Sequence, residues 1–331
     1  MVACHAIGPG TTKEATSQQP FHQKRLSFYF RHGRLAHHQT TETMQDPATM
    51  ILDWLLWVVF AIGSFFKALY RNLLSTKLED LTGKRIVITG AGGAIGRELS
   101  VALAKQGANL VLWDLFDPTA TAALCADQKV EIATAAIDVT DRNAVYAAAQ
   151  SLGYPVDILI NNAGVLNPSG FLATPDDQMD KLIDVNVKSN FWTIKAFLPS
   201  MLTRAEGQIV GIASVAGLVG APGLADYSAS KFAVVGLMEA LQHELAMLGR
   251  EDITFTTICP IYVRTPMIKD FTGTANMPVL DVPSVVRSIV DAIRRKQRVR
   301  VIPGWIQWIT VVKALFPWNF YQSVVLGQRF T

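Results

Sequence analysis

The chain has 331 residues, a formal net charge of +3, half of its residues hydrophobic and 17% charged. So small a charge, with no basic run interleaved with aromatics, argues against a nucleic-acid partner. The three cysteines, Cys4, Cys125 and Cys259, are odd in number and far apart. They match neither a disulfide framework nor a metal-ligand set, so no metal is expected and a reducing compartment is.

Residues 1–49 read as a disordered polar tail, rich in Thr, Gln and His and without helical or strand periodicity. Five of the six histidines lie there, at His5, His22, His32, His37 and His38. Without a fold to hold them they are solvated rather than metal-binding. Up to Gln39, Lys13, Lys24, Arg25, Arg31 and Arg34 face one acid, Glu14, a balance faintly like a mitochondrial targeting sequence.

Composition changes at Met50. Residues 50–77 read as a hydrophobic membrane anchor, free of charge from Trp54 to Phe66. Thirteen helical residues cover about 20 Å, against a hydrocarbon core of about 30 Å. The segment therefore either crosses the bilayer with Asp53 and Lys67 snorkelling or lies in one leaflet. A buried soluble helix is the competing reading, weakened by aromatic and apolar residues on every face. Lys67, Arg71 and Lys77 follow the segment and Glu42, Asp46 and Asp53 precede it, so the catalytic domain is expected to face the cytosol.

Residues 78–298 alternate short β-branched runs with helix-length stretches. Strands are expected at 85–90, 108–114, 131–138, 156–164, 207–214 and 253–260. Runs apolar on both faces imply a parallel sheet covered on both sides, and right-handed crossovers make it a doubly wound α/β domain. Residues 299–331 form an apolar, tryptophan-rich segment broken by Pro303 and Pro317. It is either a second membrane contact or the lip of an apolar substrate site.

The first strand runs into Gly90-Ala91-Gly92-Gly93-Ala94-Ile95-Gly96 and then a helix. A glycine-rich turn there lets backbone approach a pyrophosphate lying at the helix N-terminus. Asp114 ends the second strand 24 residues after Gly90, where a carboxylate accepts hydrogen bonds from ribose hydroxyls and repels a 2′-phosphate. NAD is thus expected, with NADP disfavoured. Further on, Tyr227 and Lys231 stand four residues apart, on one face of a helix.

With Thr89 included, the loop resembles the Thr-Gly-x-x-x-Gly-x-Gly turn of the short-chain dehydrogenase/reductase family, with Ala94 at the middle glycine. Asp138-Val139 resembles the family's adenine-contacting pair, and Asn161-Asn162-Ala163-Gly164 its turn after the fourth strand. The family's tetrad falls on Asn186, Ser214, Tyr227 and Lys231. The resemblance implies a single Rossmann-type domain, here with an N-terminal apolar membrane-anchor helix. It also implies that Tyr227 is general acid/base, that Lys231 holds the nicotinamide ribose, that Ser214 orients the substrate oxygen and that Asn186 supports a water chain to Lys231. A phenol, with a pKa near 10, is a poor base at neutral pH, so its anion must be favoured by nearby positive charge, which Lys231 and the oxidised nicotinamide can both provide. After the sixth strand Pro260 is followed by Ile261 where the family has glycine, while Val263 and Thr265 stand where it places amide-binding residues. The anchor and the Leu-Trp-Asp strand are similar to those of membrane-associated retinol and hydroxysteroid dehydrogenases.

The expected function is NAD(H)-dependent interconversion of a lipophilic alcohol (retinoid, steroid or fatty) and its carbonyl, at an endoplasmic-reticulum membrane or lipid-droplet surface. Residues 261–285 are expected to form a variable lid. The family further implies a homodimer through the helices after Asn186 and around Tyr227–Leu245. The alternative is a membrane or lipid-droplet scaffold that keeps nucleotide binding without turnover.

Overall fold

A seven-stranded parallel sheet in the order β3-β2-β1-β4-β5-β6-β7 organises the computed structural model. The structure describes residues 78–167, 169–268 and 278–326, with seven positions between 54 and 63. Along the chain come β1 (Arg85–Thr89), α1 (Ala94–Ala104), β2 (Asn109–Asp114), α2 (Thr119–Leu124), β3 (Ile132–Ala136), α3 (Arg142–Ser151) and β4 (Ile158–Asn161). Then follow α4 (Asp176–Ile183), a π turn (Asp184–Lys188), α5 (Ser189–Arg204), β5 (Gly207–Ile212), α6 (Ala225–Met247) and β6 (Ile253–Pro260). The last elements are α7 (Val282–Arg294), β7 (Val299–Ile302), α8 (Gln307–Leu315) and α9 (Trp318–Leu326).

Strand alternation feeds two cores, because successive side chains point to opposite faces. Ile86 and Ile88 pack with Leu99 and Leu103 of α1 and Val285 and Ile289 of α7. Val87 between them packs with Val145 of α3, Phe197 of α5 and Met238 of α6. Helix starts are set locally: the Asp141 carboxylate accepts the N–H groups of Asn143 and Ala144, and Asp281 accepts that of Ser284. The six expected strands are present, β6 with its expected bounds and the other five trimmed at their ends, and β3 at the sheet edge is only partly covered.

A seventh strand was not expected. Val299–Ile302 pairs with Thr257–Pro260, so the segment from 299 begins inside the sheet rather than beyond the domain. Its four residues precede a long apolar run and carry too little periodicity to stand out. After it, Ile306 and Tyr321 enter the second core, while Trp305, Trp308, Leu315 and Trp318 stay exposed.

The chain divides into two units, Met1–Leu74 and Ser75–Thr331. In the first, residues 54–56, 58–59 and 62–63 are helical, and Trp54, Leu55, Leu56, Val59 and Ile62 are exposed. Among the described residues no helix is long and apolar enough to cross a membrane. The tail 1–49 and the remainder of the expected anchor lie outside the described residues.

Candidate active site

In this strand order the crossovers from β1 and β4 leave on opposite sides, so a crevice opens beyond their carboxyl ends. Gly90 turns the chain there with φ +65°. A Cβ on Gly90 would lie 2.8 Å from Ala163 Cα, and one on Gly96 would lie 2.1 Å from the Gly90 oxygen. Only glycine fits at either place. Gly93 is looser, a Cβ meeting only the Gly90 oxygen at 3.4 Å, and Ala94 opens α1 half-buried. The Thr89 hydroxyl accepts the N–H groups of Asn162 (3.0 Å) and Ala163 (3.1 Å). Asn162 Nδ2 donates to the carbonyls of Thr89 (3.0 Å) and Gly90 (2.9 Å). The turns after β1 and β4 are thereby held as one unit.

Gly92 N–H donates to Asp114 Oδ2 at 2.8 Å, placing that carboxylate against the glycine loop. Asp138 Oδ1 accepts from the N–H (2.9 Å) and hydroxyl (2.7 Å) of Thr140, and Val139 beside it is buried. Helix α1 has no side-chain cap at Gly93, which leaves first-turn N–H groups available to an anion. A glycine cradle, an uncapped helix start and a carboxylate ending β2 fit a dinucleotide. Gly90, Gly92, Gly93, Ala94, Ile95 and Gly96 would hold its pyrophosphate side, with Asp114 at the ribose.

These residues line one cavity of about 1410 Å³, shared with Asp138, Val139, Asn162, Ala163, Gly164, Ser214, Tyr227, Lys231, Pro260, Val263 and Thr265. Asn186 is the one expected site residue that does not line it. Its carbonyl accepts Asn190 Nδ2 at 2.8 Å. Its Oδ1 accepts the Val165 N–H (2.8 Å), and its Nδ2 donates to the Val165 carbonyl and to Ser230 Oγ (each 3.0 Å). Asn186 thus acts on the loop after β4 and on the helix carrying Tyr227, from within the π turn.

Lys231 is buried, donates to the Ile212 carbonyl at 3.0 Å and lies 5.5 Å from the Tyr227 ring centre. Burial lowers its pKa to about 8, opposed by the nearby Cys259. Burial pushes the Tyr227 phenol up to about 12, opposed by a hydrogen bond with Ser214. Ser214 Oγ accepts the Ala216 N–H (3.1 Å) and donates to the Pro260 carbonyl (3.3 Å). The Cys259 thiol is likewise pushed up to about 12 by burial, with Lys231 and Ser214 opposing, so it stays neutral.

Lys231 loses its proton in the folded chain near pH 8, but in the unfolded chain near its usual 10.5. Between these values the unfolded state binds more protons, so stability contributed at this position rises with pH and is lost as pH falls through 8. The difference in unfolding free energy between wild type and Lys231→Met, from urea titrations, is expected to move in favour of wild type from about pH 8 to about pH 10. A flat difference would mean that the ammonium is as well solvated in the fold as outside it.

Ile261, at the family's glycine position, is buried in the second core, and its N–H donates to the Ile302 carbonyl at 2.9 Å. The wider side chain is accommodated where the second core meets the cavity wall. The expected lid includes residues 269–277, which lie outside the described residues; Val263 pairs with Leu280 on its near side. Thr89 acts in the site beyond its sequence-based reading, as a loop clamp.

The family model for short chain dehydrogenases matches residues 84–276. Rat 17-beta-hydroxysteroid dehydrogenase 13 is 36% identical over 280 residues, covering 83% of this chain and 93% of that protein. Mouse epidermal retinol dehydrogenase 2 is 37% identical over 283 residues, covering 83% and 91%. A short-chain dehydrogenase/reductase from Burkholderia phymatum, solved with NAD, superposes with TM-score 0.65 at 26% identity, covering 77% of this chain and 98% of its own. A putative NAD(P)-dependent gluconate 5-dehydrogenase from Beutenbergia cavernae, solved with NADP, gives TM-score 0.63 at 27% identity, covering 69% and 98%. With the glycine turn, the Ser214–Tyr227–Lys231 cluster and the seven-stranded sheet in place, the chain belongs to the short-chain dehydrogenase/reductase family of alcohol oxidoreductases.

Proposed function

We propose that the protein interconverts a lipophilic secondary or allylic alcohol and its carbonyl with NAD(H). The observation that carries this reading is the large cavity, whose polar Tyr227, Ser214 and Lys231 stand beside apolar walls including Val165, Leu166, Val185, Val219 and Ile261. The similarity to hydroxysteroid and retinol dehydrogenases supports the same class of substrate. A bound nicotinamide supplies the hydride acceptor or donor. Tyr227 takes the hydroxyl proton during oxidation and returns it during reduction. Ser214 Oγ, turned from the Pro260 carbonyl, donates its one proton to the substrate oxygen. Lys231 is still mostly protonated at neutral pH, and its charge, 5.5 Å from the Tyr227 ring centre, favours the phenolate.

Preference for NAD is assigned to Asp114, whose carboxylate is held against the glycine loop where a 2′-phosphate would meet it. The exposed apolar residues at 54–62 and the exposed tryptophans after β7 support work at a membrane or lipid-droplet surface, with the catalytic domain on the cytosolic side. Screening the membrane fraction at 340 nm against estradiol, retinol and dodecanol tests the activity. Turnover of none of the three would sink this reading. With a turned-over alcohol, Asp114→Ser is expected to lower the NAD/NADP ratio of kcat/KM by about 10–100-fold, one or two hydrogen bonds to a charged group. A wild-type preference for NADP would overturn the role given to Asp114.

A further inference from the structure

One buried carboxylate next to the catalytic tyrosine takes no part in the chemistry above. Asp226 lies in the first turn of α6 and is 9% exposed. Its Oδ1 accepts the Tyr227 backbone N–H at 2.7 Å, and its Oδ2 accepts Asn167 Nδ2 at 2.7 Å. Asn167, also buried, donates the same amide group to the Gln178 carbonyl of α4 at 3.2 Å. A carboxylate out of water is costly unless donors compensate it. Here the donors come from the catalytic helix, whose N-terminal dipole also favours negative charge, and from the loop after β4.

That loop supplies a wall of the substrate side of the cavity through Val165 and Leu166. Leu166 is held between two anchors: Asn186 grips both backbone groups of Val165, and Asp226 grips Asn167. The second anchor is on the same helical turn as Tyr227, so wall and acid/base move as one body. We infer that Asp226 and Asn167 are positioning residues that set the gap between Leu166 and the Tyr227 hydroxyl, and thereby select alcohols that reach this wall. The inference rests on the reading that a lipophilic alcohol occupies the cavity. An alcohol too small to touch Leu166 is indifferent to the clamp. The nucleotide turns are held by Thr89 and Asn162 and do not depend on it.

The test compares full-length wild type with Asp226→Asn, Asn167→Ala and the exchange pair Asp226→Asn/Asn167→Asp. In Asp226→Asn an amide faces an amide, while the acceptor for the Tyr227 N–H remains. KM for estradiol or retinol is expected to rise about tenfold, with kcat for 2-butanol and the NADH Kd within about twofold of wild type. The exchange pair is expected to recover part of that loss, since it rebuilds the bond between positions 226 and 167 with donor and acceptor reversed but sets a carboxylate oxygen against the Gln178 carbonyl. Amide hydrogen exchange over residues 163–170 in the NADH-saturated protein is expected to quicken about tenfold in both single variants. A loss shared equally by large and small alcohols, and not rescued by the exchange pair, would make Asp226 a folding residue and overturn the inference. Unchanged exchange in that loop would overturn it too, whether or not any alcohol is turned over. Absence of wild-type turnover alongside quickened exchange would instead count against the lipophilic-alcohol reading alone.

Discussion

Tyr227→Phe is expected to lower kcat for alcohol oxidation by about 10²–10⁴, the usual worth of a positioned general acid/base, and to leave NADH affinity within about twofold. The substitution removes one oxygen from a side chain whose ring already packs beside Lys231 at 5.5 Å, so the fold has no reason to change. Because burial places the phenol near 12, its base form is the minor one across the accessible range. Wild-type oxidation should therefore accelerate as pH rises, and the residual activity of the variant should lose that slope. Steady-state rates across pH, with NADH binding followed by fluorescence, decide the matter. A variant that retains wild-type kcat would remove Tyr227 from the chemistry.

Gly96→Ala is expected to weaken NADH binding by about 10–100-fold and to destabilise the fold by about 1–3 kcal/mol, the range for inserting a methyl group into a packed site. A Cβ at Gly96 would stand 2.1 Å from the Gly90 oxygen and 2.9 Å from both Ala91 Cα and Asn162 Nδ2. Two of these neighbours are backbone, so the loop itself must move, and Asn162 ties that loop to the turn after β4. Gly93→Ala, whose Cβ would meet only the Gly90 oxygen at 3.4 Å, is the matched control for the fold and should melt as wild type. Wild-type NADH affinity and melting temperature in Gly96→Ala would show that the turn is soft and does not hold the cofactor.

The spacing of the loop was readable along the chain, but which of its positions forbid a side chain was not. Gly90 and Gly96 are constrained by each other and by Asn162 and Ala163, more than 60 residues away. Similarly, Lys231 could be put on one face with Tyr227 from their four-residue spacing. That its ammonium bonds the Ile212 carbonyl and sits near Cys259 follows only from bringing β5, β6 and α6 together. What Asn186 holds is likewise decided by packing, which sets its side chain against Val165 and Ser230.

Local pattern alone determined six of the seven strands, the glycine turn, the carboxylate ending β2 and the Tyr–Lys pair. Each is a signal carried within one element or one turn, where backbone geometry and hydrophobic period act over a few residues. Tertiary structure alone decided the rest. The seventh strand exists because β6 offers it a partner, and the Ile261 N–H meets the Ile302 carbonyl at that strand's end. Asp226 can stay buried because Asn167, 59 positions away, meets it. These depend on long-range pairing, burial and desolvation, which arise only when distant segments are packed against one another.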